Sequence, residues 1–131
     1  KIADYTLTPA SFARSAQWHK VEDVGELAFD HNEILDTCLR RLQRKVRTTP
    51  IGFELLPQKF TLSELQQLYD VILNLPKKLD KRNFRKKILA MNVLIELNEV
   101  QEGVAHRPAK LYRFDPDKYA QFVSEGFSFG I

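Results

Sequence analysis

Eleven residues from Lys77 to Lys87 read KKLDKRNFRKK. Seven are lysine or arginine and one is aspartate, a local charge of +6 in a chain whose net charge is +3. The residues outside this block therefore sum to −3. So dense a cluster of cations on a near-neutral to acidic body is suited to holding anions, phosphates above all. Arg82, Asn83 and Lys86 within the block carry more than charge. Arginine grips guanine with two hydrogen bonds, asparagine does the same with adenine, and lysine pairs with phosphate. Further along, His106 and Arg107 form a second small group suited to a backbone or minor-groove contact.

Catalytic chemistry has no comparable set. His19, His31 and His106 are scattered, and no serine or cysteine stands in a nucleophile context. The five glycines are isolated, so there is no phosphate-cradling loop. Cys38 is the only cysteine, which excludes an internal disulfide and leaves no cysteine–histidine set with zinc spacing. Asp30 beside His31 reads as a helix cap rather than part of a proton relay. Glu96, Glu99 and Glu102 read as solvent-facing hairpin residues rather than metal ligands. No catalytic residue, metal site or cofactor is assigned.

The basic block needs elements to position it, and the sequence marks them. A helix over 31–46 is announced by Asp30 as N-cap, with Glu33 completing a capping box and Phe29 and Ile34 at the staple positions. Its apolar residues Ile34, Leu35, Cys38, Leu39, Leu42 and Val46 share one face. Arg40, Arg41, Arg44 and Lys45 suit the negative end of its dipole. The segment PIGFELLP, Pro50 to Pro57, fits either a strand or a single helical turn, and periodicity leaves both open. A second helix over 62–74 carries Thr61 and Glu64 as capping box, Phe60 and Leu65 as staple, and Leu65, Leu68, Tyr69, Ile72 and Leu73 as its buried stripe.

The third helix begins after Asp80 and runs to about Met91. At about 100° per residue, Phe84, Ile88 and Met91 fall together as an inward face. Arg82, Asn83, Lys86 and Ala90 fall opposite, Lys87 at their edge, and Arg85 and Leu89 on the flank. A strand over 93–98, a loop with Gly103 and Pro108, and a strand over 110–114 make a β-hairpin. A short helix over 116–123 and an aromatic end, GFSFGI, follow. Helix, turn, basic helix, strand, loop, strand is the order of a winged helix-turn-helix. A basic helix is ordinarily just a solvated face. Here it is the second helix of the pair and is followed by a hairpin with its own arginine, which points to DNA reading instead.

The chain has 131 residues, 44% hydrophobic and 28% charged, with nine Phe, four Tyr and one Trp. That composition is globular, not disordered. No apolar run approaches the roughly 18 residues of a membrane span, and a single cysteine fits a cytoplasmic setting. Residues 1–29 hold too few apolar side chains for a core of their own. Ile2 to Leu7 and the region of Trp18 and Val21 read as short strands of a domain that needs a partner. The chain starts at Lys1 rather than Met and is read as a portion of a longer protein.

With these residues in place, the chain from Trp18 to Phe114 resembles the C-terminal portion of the Nudix-related transcriptional regulators. In these bacterial proteins a degenerate Nudix domain is joined to a winged helix. The resemblance is carried by ELAFDHNEIL at 26–35, PIGFELLPQKFTLSELQQLYDVIL at 50–73, LDKRNFRKKIL at 79–89 and HRPAKLYRF at 106–114. It implies an α+β, mainly α fold: 1–29 as the end of a Nudix-like effector domain, 30–47 as its last helix and connector, and 48–131 as the winged helix. It also implies a homodimer on a palindromic double-stranded operator. In the intact protein the effector is an ADP-ribose-like nucleotide or a sugar. DNA contacts are implied at Arg82, Asn83, Arg85 and Lys86, and on the wing near Arg107 and Lys110, with Lys87 adding phosphate attraction. The magnesium-holding Nudix box is nowhere in this chain, so the resemblance does not extend to hydrolysis. Two other readings stand beside it: a winged helix that binds an acidic protein partner, and a fragment of a Nudix-type protein that binds or hydrolyses nucleotide sugars.

Overall fold

Two capping boxes are written into the sequence, and only one of them closes. In the computed structural model, which describes residues 6–105 and 107–131, the Thr61 hydroxyl accepts from the Glu64 N–H at 3.1 Å. The Glu64 carboxylate in turn accepts from the Thr61 N–H at 2.8 Å. Two amides that a helix start would otherwise strand are satisfied, and helix α2 runs from Leu62 to Leu73. Asp30 forms no such bond. Phe29 adopts a left-handed conformation (φ 57°), and Asn32 fastens the approach to the helix instead. Its side chain accepts from the Leu27 N–H at 2.7 Å and donates to the Gly25 carbonyl at 3.0 Å. The expected staple is absent as well, since Phe29 is 94% and Ile34 51% exposed. Helix α1 nevertheless forms, from His31 to Thr48.

The chain divides into two units, Lys1–Arg40 and Arg41–Ile131. The first contains no strand among its described residues, contrary to the strand expected near Trp18 and Val21. A short 3-10 turn, Val21–Asp23, occupies part of that stretch, and Trp18 is exposed. A β-conformation has nothing to pair with there, so the backbone satisfies itself locally. Most of the strand expected over Ile2 to Leu7 lies outside the described residues.

The second unit is a winged helix. Pro50–Leu55, the segment periodicity left open, is a 3-10 helix. Its Gly52 allows a close approach, because a Cβ there would sit 3.3 Å from both the Tyr69 hydroxyl and Val46 Cγ2. After α2, Asn74 takes a left-handed conformation and stops the helix. Helix α3 spans Lys81–Ala90, capped by Asp80, which accepts from the Asn83 N–H. Strands β1 (Leu94–Val100) and β2 (Lys110–Phe114) pair antiparallel, with Leu94 opposite Phe114 and Glu96 opposite Tyr112. Phe60 adds a third, one-residue rung: its N–H donates to the Tyr112 carbonyl at 2.9 Å, and the Tyr112 N–H donates back at 2.8 Å. Helix α4 (Pro116–Ser124) starts on Asp115, whose carboxylate accepts from two amides.

One core joins these elements. Leu65, Tyr69 and Leu73 of α2 meet Phe84 and Ile88 of α3, with Met91, Val93, Leu94 and Tyr112 below them. The inward face expected for α3 is the one that is buried. Phe53 stacks on Phe114 at 4.5 Å and meets Phe129 edge-on at 6.3 Å. The tail from Phe129 to Ile131 thus returns to the core, and the Ile131 N–H donates to the Arg47 carbonyl at 3.2 Å.

Tyr69 is fully buried, yet its hydroxyl has no hydrogen-bond partner among the described residues. Burial pushes its phenol well above the ordinary tyrosine value. A buried, unpaired hydroxyl costs about 1–3 kcal/mol. Tyr69→Phe, which keeps the ring and removes the orphan, is therefore expected to raise the thermal midpoint. A lower midpoint in a melting experiment would mean that the hydroxyl has a partner in solution.

Candidate nucleic-acid interface

Helix α3 presents two unlike faces. Phe84 and Ile88 anchor it in the core, which leaves Arg82, Asn83 and Lys86 exposed on the other side, with Lys81 and Lys87 exposed at its edges. Among the described residues none of these cations pairs with a carboxylate. The Asn83 backbone N–H is used by the Asp80 cap, so only its side-chain amide is available for recognition. A surface of unpaired guanidinium, amide and ammonium groups around one exposed helix is what a major groove can accept. Lys81 adds an exposed cation at the edge of this surface, although sequence reading did not single it out. Its place in the first turn, beside Arg82, was the available signal.

Two of the expected contact residues are engaged elsewhere in the domain. Arg85 is half-buried and donates to Ser63 Oγ on α2 at 3.0 Å, with its Nε buried and without a partner among the described residues. It bridges two helices rather than extending into solvent. Lys110 pairs with Glu96 across the β-hairpin, and the Tyr112 hydroxyl donates to the same carboxylate at 3.1 Å. The hydrogen bonds from Lys110 and then Tyr112 hold the Glu96 carboxyl below its ordinary value, and Glu96 holds Lys110 above its own. The stabilisation from Glu96 is thus present at neutral pH and is lost as pH falls through the lowered carboxylate value. That from Lys110 is present through neutral pH and is lost only as pH rises through its raised value.

The wing is held at a second point. Lys59 pairs with Glu99 of β1 at 2.6 Å. The wing acids Glu96 and Glu99 therefore each have a lysine beside them, which removes two negative charges from the approach of a polyanion. Lys59 and its role were missed in the sequence, because it belongs to a segment that offered no periodicity. Arg107 is exposed on the wing loop, and His106 lies outside the described residues. Lys77 and Lys78 are exposed in the turn between α2 and α3.

That turn is itself fixed from α2. Asp70 accepts from the Leu79 N–H at 2.8 Å, and the Gln66 side chain donates to the Leu79 carbonyl at 2.7 Å. Neither residue was singled out from sequence. Their spacing of four residues on one helix face was the only signal. Among the described residues no group of three or more His, Cys, Asp or Glu is placed to hold a metal, and no helix is long and apolar enough to cross a membrane.

Known proteins are similar to this chain in sequence and fold. Residues 52–114 match the family described as the NrtR DNA-binding winged helix domain. The chain is 38% identical over 94 residues to the ADPR responsive transcriptional repressor NtrR of Acinetobacter baylyi, a match that spans 72% of this chain and 36% of that protein. Among solved structures, it resembles Shewanella oneidensis NrtR complexed with a 27mer DNA, with a TM-score of 0.61 and 29% identity over 79% of this chain and 43% of that one. It also resembles the structure described as Shewanella oneidensis NrtR, with a TM-score of 0.60 and 30% identity over the same shares. The chain therefore spans less than half the length of these relatives. Over residues 52–114 it is a winged helix domain of the NrtR family, in line with its resemblance to the Nudix-related regulators.

Proposed function

We propose that this chain binds double-stranded DNA sequence-specifically, as the output module of a ligand-responsive bacterial transcriptional regulator. The carrying observation is the exposed α3 face of Arg82, Asn83 and Lys86, with Lys87 at its edge and no carboxylate partner among the described residues, opposite a buried docking face in a domain whose relative is described with a 27mer DNA. In this mechanism α3 lies in the major groove, Arg82 and Asn83 meet base edges, and the lysines meet phosphates. Arg107 on the wing loop adds a cation beside the helix, with Lys110 where that loop enters β2, and His106 is proposed as a further contact on sequence grounds alone. Arg85 supports the helix from behind.

Two copies related by a two-fold axis would read a palindromic operator. Residues 1–29 then belong to a Nudix-like effector domain and 30–47 to its connector. An ADP-ribose-like nucleotide or a sugar bound there would alter the spacing of the two winged helices. No catalytic step is proposed for this chain, and its working compartment is the cytoplasm.

The test is fluorescence anisotropy on a random duplex and on the DNA upstream of the protein's own operon, at two salt concentrations. A preference for operon DNA that survives the higher salt supports the proposal. Equal and steeply salt-dependent binding to both would reduce the basic helix to phosphate attraction, and an acidic protein partner would become the better reading. Lys87→Ala is expected to weaken binding to all duplexes alike and to lower the salt slope by about 1. A loss confined to one sequence would make Lys87 a base reader.

A further inference from the structure

The geometry points to Gln66 and Asp70 of α2 as positioning residues for base recognition, although neither belongs to the basic surface. This inference rests on the DNA-reading proposal and deepens it. Asn74 ends α2 in a left-handed turn, and α3 begins at Lys81. The connecting residues hold no regular structure and include Lys77 and Lys78, which a phosphate backbone would pull on. A turn of that kind does not by itself fix where the next helix starts.

Here the start is fixed by a two-pronged clamp. Both backbone groups of a single residue, Leu79, are held: the N–H by Asp70 at 2.8 Å and the carbonyl by Gln66 at 2.7 Å. Gln66 and Asp70 stand one helical turn apart, so their side chains reach the turn from the same face of α2. The Leu79 side chain packs against the core, which makes a third point of attachment. The next residue, Asp80, is the α3 cap. The clamp therefore sets the position of the first turn of α3, the turn that carries Arg82 and Asn83. Arg85 on Ser63 ties the same helix to α2 one turn later.

Base readout and phosphate attraction depend differently on this position. A bidentate hydrogen bond tolerates displacement of only about 0.5 Å, whereas a lysine on a flexible stem follows a phosphate over a longer reach. Removing the clamp should thus erode discrimination between sequences and leave general affinity for DNA intact.

The experiment uses the 131-residue chain and two probes: the duplex it selects from a randomised library, and a random duplex. Their affinities are compared across salt, with a melting curve for each variant. Asp70→Ala and Gln66→Ala are each expected to cut the selected-to-random ratio roughly fivefold or more, while Asp70→Asn keeps it within about twofold. Asparagine retains an oxygen that accepts from Leu79 and loses the charge. The salt slope on the random duplex should be the same in all variants.

Folded alanine variants with an unchanged ratio would overturn the inference. So would an Asp70→Asn variant that falls as far as Asp70→Ala, since charge and not the hydrogen bond would then be at work. A parallel loss of random-duplex affinity would reduce the clamp to a merely structural role and would overturn it as well. Should Asp70→Ala fail to melt cooperatively, Gln66→Ala decides, because it leaves the Asp70 bond in place. If the unaltered chain selects no duplex at all, the DNA-reading proposal itself falls, a result distinct from every failure above.

Discussion

Phe84→Ala is expected to lower the free energy of unfolding by about 3–5 kcal/mol, the usual cost of emptying a buried phenylalanine site. Phe84 is 4% exposed, and its ring lies 5.6 Å from that of Tyr69. These two rings join α3 to α2 at the centre of the domain. The void would be hard to close, because Leu65, Tyr69 and Ile88 beside it are fully buried and have little room to shift. A domain of this size has about 5–15 kcal/mol in all, so the loss is a large share of the total. Urea unfolding of the chain measures it directly. Leu89→Ala on the same helix is the control: Leu89 is 46% exposed, and its change should stay within about 0.5 kcal/mol. A similar small value for Phe84→Ala would mean that α3 docks through a different face.

Arg82→Ala is expected to leave folding untouched and to weaken binding to the preferred duplex by about 1–3 kcal/mol, with relaxed selectivity at one base position. Arg82 is exposed and pairs with no carboxylate among the described residues, so its removal breaks nothing within the domain. Its planar fork suits a guanine edge in a way an ammonium does not. Arg82→Lys should accordingly recover general affinity before it recovers selectivity. Selection from a randomised duplex library, followed by anisotropy on the winning and losing sequences, separates the two effects. An equal loss on every sequence would make Arg82 a phosphate contact and move base reading to Asn83 and Lys86.

The helices of the second unit were readable because their signals are local. Thr61 and Glu64 lie three residues apart and need only each other, and the pair closes as the spacing predicts. The inward face of α3 follows from helical periodicity, and Phe84, Ile88 and Met91 are buried accordingly. Asp30 and Glu33 show the same spacing, yet no box forms, because Asn32 secured the loop to Gly25 and Leu27 instead. Spacing identifies a candidate but not its competitors. The cross-chain features were out of reach for the same reason. Phe60 was read as a staple residue, whereas its backbone also pairs with Tyr112, far along the sequence. Arg85 fell on the flank of the helical wheel, which says nothing of Ser63 as its neighbour. Lys110 was placed on the wing by resemblance, and its pairing with Glu96 depends on a strand register that no local pattern records. The clamp on Leu79 is of the same kind, since polar side chains reaching a turn backbone leave no periodic trace.

The returning tail has a consequence for how the domain is made. Phe53 belongs to the first element after α1, yet one of the rings that covers it, Phe129, is translated 76 residues later, and the Arg47 carbonyl finds its donor at Ile131. While a ribosome is still reading the wing, the aromatic pair Phe53 and Phe114 is open to water on the side that Phe129 will occupy. The α2–α3 pair can assemble early from near neighbours in sequence, but the domain is sealed only after residue 131 has cleared the exit tunnel. A stall or early stop beyond Phe114 would release a chain with its DNA-facing helix in place and an oily flank exposed, the form that chaperones and proteases recognise.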